Sequence, residues 1–407
     1  MEQALCRPGQ RIPRGAGRSY GDASFRSKGY TLSTQSLHHF LHFEPNTGVL
    51  VAEAGVTLYE IIQTFLPRGW FPAVVPGTQF VTIGGAIASN IHGKNHHVEG
   101  AFCDHVEWVE LLLSNGEVHR LMPSEALFWT TAGGMGLTGV ILRAAIRLRR
   151  IPSSFVWNIT YKTATLEKAL EIILAEDEKY PFAVVWVDHA CGRSVVHLGR
   201  WAEITELPPM TKPYQPHPTD RLSIPFTPPL RLINRLSLEA IATFYWLTNP
   251  VGAHLVPYYK YFFPLDGVRH WNRVWGPDGF IQFQFVVPEV EDLVDLWWRL
   301  RKAPGRSFLT VVKRMGGQRG PLAFTGPGWT LAIDLSNTDA MRRFLLSLYD
   351  RVAEKNGRVY LTKDSLLLPE TFRAMYPTWK DFLQHKVAVD PEGRWASDLS
   401  RRIGLTD

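Results

Sequence analysis

Three glycine-rich segments crowd into the first third of the chain: RGAGRSYGD (14–22), PGTQFVTIGGAIASNIHG (76–93) and TAGGMGLTGVI (131–141). The first is not the GxGxxG of a dinucleotide fold. No apolar strand of normal length precedes it, and no Walker lysine with Ser/Thr follows. Gly15, Gly17 and Gly21 let the backbone approach a ligand and turn its N–H groups inward, a nest that suits phosphate, with Arg18 adding charge. In the second segment Gly84-Gly85 stands before the small residues Ala86-Ile87-Ala88, a helix start able to sit against a pyrophosphate. The third feeds a strand. A single loop of this kind is equally well a tight turn, but three in one half-chain point to a large, extended, phosphate-bearing cofactor.

The second segment runs into ASNIHGKNHH (88–97), which offers a metal site as an alternative. His92 and His96 are spaced i, i+4. Gly93 lies between them, however, no nearby carboxylate or cysteine completes a set, and Lys94 would place a positive charge beside any cation. The stretch reads better as a polar wall facing an anionic or polyol ligand, with no metal. Lys363 in YLTKDS, near the end of an expected strand, and Lys313 in VVKRMG are further candidates, and each could equally be a solvated lysine. In FIQFQFVVP, Gln282 and Gln284 share one strand face while Ile281, Phe283 and Phe285 take the other. That polar stripe suggests a wet cavity or an exposed sheet face.

The surrounding pattern predicts an α+β fold. GVLVAEAG reads as a strand. VTLYEIIQTFLPRG is a helix on Leu58, Ile61, Ile62 and Phe65, stopped by Pro67 and Gly69. VEWVELLLSNGEVHRL is a hairpin around Asn115-Gly116. From 151 to 345, strands alternate with the helices LEKALEIILAEDEKY and VEDLVDLWWRLRKA, which predicts an antiparallel sheet backed by helices. Residues 207–229 are proline-rich and form a long irregular, mobile loop. RVYLTKDS is expected as a strand.

Composition narrows the partners. Lys+Arg 44 against Asp+Glu 38 suits anionic substrates or a membrane surface, and the absence of any basic run argues against nucleic acid. Cys6, Cys103 and Cys191 are too scattered for disulfides or a CxxC metal site. No apolar run is long enough for a transmembrane helix, and the first residues lack a signal-peptide h-region. The expected placement is therefore cytoplasmic or peripheral to the membrane.

Taken together, RGAGRSYGD, PGTQFVTIGGAIASNIHGKNHH, LFWTTAGGMGLTGVI, FIQFQFVVP and YLTKDS…FRAMYP…WASDLSRRIGL resemble the decaprenylphosphoryl-β-D-ribose 2′-oxidases. These are flavoenzymes of the vanillyl-alcohol-oxidase superfamily, with its PCMH-type FAD-binding domain. The resemblance runs from about Arg14 to the C-terminus, and IHGKNHH is its most specific part. It implies an FAD-binding domain in two parts, 1–152 and 358–407, and a substrate domain at 153–357. It assigns FAD contacts to Arg14, Gly15, Gly17, Arg18, Ser19, Tyr20, Pro76, Gly77, Thr78, Thr82, Gly84, Gly85, Asn90, His92, Gly93 and Asn95. Gly134, Gly136, Gly139, Ile141, Tyr360 and Lys363 continue that set.

The resemblance further places Trp186, Phe262, Gln282, Lys313 and Thr330 at the substrate. Lys363 is its first candidate for the catalytic base, with Tyr20, His92 and Lys94 beside it. Arg18 precedes Ser19 where covalent members carry a histidine, so FAD is expected to be non-covalent. The implied reaction is oxidation of a secondary sugar hydroxyl, giving a 2′-keto sugar as the first half of an epimerisation in cell-wall arabinan biosynthesis. A short-chain NADH-dependent reductase would complete it. The substrate is a lipid-linked sugar or, in the alternative, a free aldose, alditol or glycoside; a further alternative is an inactive homologue that binds FAD poorly. The chain departs from the family in starting almost at the first loop. It also has Phe262, Thr330 and Ala332 where the family has tyrosine, asparagine and cysteine.

Overall fold

The computed structural model describes residues 8–217, 222–229, 233–317 and 319–406. A short parallel pair, β1 (Arg11–Arg14) and β2 (Tyr30–Ser33), opens the chain. Next come β3 (Phe40–Glu44), β4 (Val49–Glu53), β5 (Trp70–Pro72), β6 (Val106–Leu112), β7 (Val118–Leu121) and β8 (Val140–Arg150). They form an antiparallel sheet in the order β3-β4-β8-β6-β7, with β5 also on β8. The helix Leu58–Phe65 buries the four apolar residues its spacing predicts and starts with a Thr57–Glu60 capping box, an arrangement that supplies two otherwise orphaned N–H groups with acceptors. Gly116, at φ 93°, turns the β6–β7 hairpin in a conformation that costs glycine little.

A second sheet holds β9 (Phe155–Thr163), β10 (Phe182–Val187), β11 (Ser194–Trp201), β13 (Gly252–Pro257), β15 (Phe280–Val287), β16 (Thr310–Met315), β17 (Gly328–Ser336) and β18 (Arg358–Val359). The minor strands β12 (Leu222–Ser223) and β14 (Val268–Arg269) pair with each other. The eight strands run in the order β13-β9-β11-β10-β16-β17-β15-β18, every neighbour antiparallel. Ile281, Phe283, Phe285, Leu331, Ile333 and Leu335 belong to one buried core with the apolar stripes of the helices Leu166–Glu176, Val290–Leu300 and Asp339–Glu354. Each such side chain contributes about 1.5–3 kcal/mol by leaving water. Strand alternation sends Gln282, Gln284, Thr330 and Asp334 to the opposite face.

The predicted strand RVYLTKDS ends after Val359. Tyr360 N–H makes a last ladder bond to Gln284 O (2.9 Å), and the chain then turns, with Lys363 N–H donating to Tyr360 O (2.9 Å). Asp364 holds this turn by accepting from the N–H groups of Leu366 and Leu367. Of the proline-rich loop, residues 218–221 lie outside the described residues, as does Cys6. The described remainder is irregular apart from β12. The chain's two ends meet: Arg11 N–H donates to Arg394 O, Ala396 N–H donates to Arg11 O, and Arg402 bridges Asp22 and Asp364.

Candidate active site

Between the glycine loops and the polar face of the eight-stranded sheet lies one cavity of about 1590 Å³. That exceeds the few hundred to 1,000 Å³ typical of a single small ligand and leaves room for an extended cofactor and a substrate together. At one end, the loop 14–20 lies against Thr82: a Cβ on Gly15 would collide with the Thr82 hydroxyl. Gly17 is left-handed (φ 62°), and a Cβ there would stand 2.5 Å from the Arg14 guanidinium. The N–H groups of Ala16, Gly17, Arg18, Ser19, Gly77 and Thr78 donate to no described residue. Unpaired backbone donors lining a cavity form an anion nest.

The glycine pair plays a different part from the one its sequence suggests. Thr82 caps the helix Ile83–Ala88 by accepting from Gly85 N–H, and Gly84 N–H donates to Ala54 O (2.8 Å). Those donors are already used. To a ligand, Gly84 and Gly85 supply close approach and no free N–H.

At the other end the cavity floor is polar. Gln284 Nε2 donates to His92 Nε2 (2.9 Å) and Thr330 Oγ1 (2.9 Å). His92 therefore carries its proton on Nδ1, and that buried N–H has no partner; the Oε1 atoms of Gln282 and Gln284 also have none. Burial, with Lys313 nearby, holds His92 well below its usual range, so it is neutral. Lys363 Nζ stands 5.7 Å over the Tyr20 ring. Burial lowers the Lys363 ammonium and Asp334 opposes that shift. Lys313 and Lys94 are each pushed down to about 7 by burial, Lys313 also by the neighbouring lysines. Lys94 Nζ donates to Tyr261 O and lies 4.1 Å over the Tyr261 ring. None of the three lysines has an ion-pair partner among the described residues.

Tyr20 keeps 41% of its surface free yet is enclosed by protein, because that surface lines the cavity. Burial and the Asp334 charge raise its hydroxyl, so it stays protonated and serves as a donor.

Most residues singled out in the sequence reach this cavity. Arg14, Gly15, Gly17, Arg18, Ser19, Tyr20, Pro76, Gly77, Thr78, Thr82, Gly84, Gly85, His92, Gly93 and Lys94 line it. So do Gly136, Gly139, Ile141, Trp186, Phe262, Gln282, Lys313, Tyr360 and Lys363. Four stand behind the wall. Asn90 Oδ1 accepts from Cys103 N–H, Asn95 Nδ2 donates to Ala73 O, and Thr330 Oγ1 donates to Phe285 O. Gly134 packs against Thr130 O and the Phe382 ring. These four are not among the residues that line it.

The histidine run separates: His96 Nδ1 accepts from Gly316 N–H (2.8 Å) and His97 Nε2 lies 3.4 Å from Asp177 O. No group of three metal-ligating side chains gathers among the described residues.

Sequence reasoning passed over Asp334. Its carboxylate is buried, takes a 2.5 Å hydrogen bond from Gln282 Nε2, and leaves Oδ2 unpaired. Burial raises it, while Gln282 and Lys363 pull it down. The signal was available: in WTLAIDL, Asp334 alternates with Ile333 and Leu335 as Gln282 does with its neighbours.

The chain matches the model of an FAD binding domain over residues 6–122. It is 35% identical to the decaprenylphosphoryl-β-D-ribose oxidase of Mycolicibacterium smegmatis over 97% of this chain and 89% of that protein. It is 31% identical to an uncharacterised Streptomyces coelicolor protein over 86% of this chain and all of that one. Cytokinin dehydrogenase 10 of Oryza sativa is similar over 36% of the chain only, at 28% identity. The residues present suit FAD: the free N–H nest fits its phosphates, Gly77 opens on space in which a Cβ would meet nothing within 4 Å, and the unpaired His92 N–H and glutamine carbonyls fit a polar ring edge. The chain therefore belongs to the decaprenylphosphoryl-β-D-ribose oxidase family and is an FAD-dependent oxidoreductase of α+β fold.

Proposed function

We propose that the chain oxidises the 2′-hydroxyl of a polyprenylphosphoryl ribose to the ketone, using non-covalently held FAD, and that a short-chain NADH-dependent reductase then acts on the product. One observation carries this reading. A single cavity joins a nest of free backbone N–H groups to a polar wall that carries Lys94, Lys313 and Lys363, none with an ion-pair partner among the described residues. Buried cations without partners are costly, and a phosphate-bearing ligand removes that cost. FAD, when held there, would supply a two-electron acceptor for the hydride that leaves the sugar carbon.

The protein's own residues do the rest. Lys363, as the neutral amine, takes the hydroxyl proton at Nζ. Tyr20 O–H donates to the substrate, and the Oε1 atoms of Gln282 and Gln284 accept from sugar hydroxyls and orient the ring. Lys94 and Lys313 balance the phosphate charge. Arg18, standing before Ser19, offers no histidine for flavin attachment.

The helix Arg235–Thr248 supports a peripheral membrane placement for a lipid-linked substrate. Leu236, Phe244 and Leu247 on it, with Val251 just beyond, are exposed, and Ile241 lines the cavity. No helix among the described residues is long and apolar enough to cross a membrane.

Acid precipitation tests the attachment: flavin should leave in the supernatant, and flavin retained on the pellet would contradict it. Anaerobic bleaching against a panel tests the substrate. Reduction by the polyprenylphosphoryl ribose, with free pentoses and alditols inert, is expected; reduction by free sugars alone would favour a soluble aldose or alditol oxidase. Protein that takes up no FAD would mark an inactive homologue.

A further inference from the structure

One wall of the cavity comes from a segment that carries none of the catalytic side chains. It leaves the core at the short helix Tyr258–Phe262, where the rings of Tyr258 and Phe262 meet Phe71. It is fixed again at Trp275, which is buried and stacked on Phe280 at 5.4 Å. Between these anchors Leu265, Asp266, Val268, Arg269, His270 and Trp271 line the cavity. Part of the proline-rich loop rides on this segment. β12 pairs with β14, Ile224 N–H donates to Arg269 O (3.0 Å), and Arg273 Nη1 donates to Ile224 O and Pro225 O (both 2.7 Å).

The segment grips the cofactor side through Asp266. Its Oδ2 accepts from Gln79 N–H at 2.9 Å. Gln79 follows Gly77 and Thr78, whose N–H groups belong to the free nest. The carboxylate thus takes the donor next in line after those left for phosphate. Burial raises the Asp266 carboxyl, while Gln79, Thr78 and the Arg18 charge pull it down. Arg18 itself makes no ion pair among the described residues and lies 5.5 Å over the Phe80 ring.

This bond joins two walls of the cavity beside the nest. A carboxylate holds an N–H more strongly than a neutral acceptor does, yet it meets phosphate as a like charge. The contact is therefore firm without phosphate and weaker beside it, which suits a closure that opens. We propose that Asp266 latches the segment 263–275 over the phosphate nest, and that FAD enters and leaves by breaking the bond to Gln79. The proposal rests on the reading of FAD as non-covalently held, and it holds whichever hydroxyl is oxidised.

FAD exchange tests it, read by flavin fluorescence in stopped flow with no substrate present. In Asp266→Ala, and independently in Asp266→Leu, FAD should both bind and leave about tenfold faster, the worth of one hydrogen bond to a charged group. Asp266→Asn keeps an acceptor for the Gln79 N–H and loses the charge, so its FAD should leave no faster than from the unaltered protein. Rates within about threefold of the unaltered protein in both apolar variants would overturn the latch. So would faster release without faster binding, or release from Asp266→Asn as fast as from Asp266→Ala. Flavin freed by acid together with unchanged rates sinks the latch alone, whereas flavin retained on the acid pellet sinks the non-covalent reading and the latch with it.

Discussion

At Lys363 two effects oppose each other. Burial strips the ammonium of water and lowers it, while the Asp334 charge raises it. Burial wins, which leaves a neutral amine available at a pH where a free lysine has almost none. Lys363→Met should therefore keep bound FAD and lose flavin reduction by about 10²–10⁴-fold, the usual worth of a positioned base; stopped-flow bleaching reads it. The pH profile of reduction should rise with pH to a midpoint well below 10.5. Asp334→Asn removes the charge that holds the proton on Lys363, so its midpoint should move to lower pH. An unmoved midpoint would detach Asp334 from the base.

Little of this was legible residue by residue. Lys363 and Lys313 looked like surface lysines until the resemblance singled them out, because one lysine on a short segment carries no mark of burial. Gln282 and Gln284 were legible, since strand alternation places them opposite three apolar neighbours. Asp334 obeys the same rule on the neighbouring strand and was legible in principle.

Elements were read more easily than residues. The helices and most long strands follow from apolar spacing, because period 3.6 and period 2 survive in the sequence wherever one face is buried. The turn carrying Lys363 did not, since three apolar or aromatic residues before it look like a continuing strand. That turn is set by Asp364, which accepts from Leu366 and Leu367 N–H and pairs with Arg402 at 2.9 Å. Arg402 also pairs with Asp22, two residues after Tyr20. Arg402→Leu leaves the Asp364 carboxylate buried without its cation, so it should cost about 3–5 kcal/mol and loosen both catalytic segments; denaturant unfolding and the rate of flavin reduction should fall together. Thr82→Val removes the cap of the glycine helix, about 1 kcal/mol, and should weaken FAD binding, measured by flavin fluorescence on titration.

For the molecule as a whole, the site gathers buried lysines whose charged forms are poorly solvated. Lys94 and Lys313 hold protons less firmly folded than unfolded, near 7 against 10.5. Between those pH values the unfolded chain binds more protons, so the stability of the FAD-free protein should rise with pH across that window. Thermal melts of apoprotein at a series of pH values would show it, and a flat profile would mean that both lysines are already solvated. FAD at about a hundredfold excess over its Kd should add roughly 2.7 kcal/mol.

The most direct test of the central claim is anaerobic flavin bleaching by polyprenylphosphoryl ribose compared with its 2′-deoxy analogue. The account predicts that the ribose compound reduces the flavin and the 2′-deoxy compound, lacking the hydroxyl whose proton Lys363 removes, does not. Equal bleaching by both, or by neither in FAD-replete protein, would contradict it.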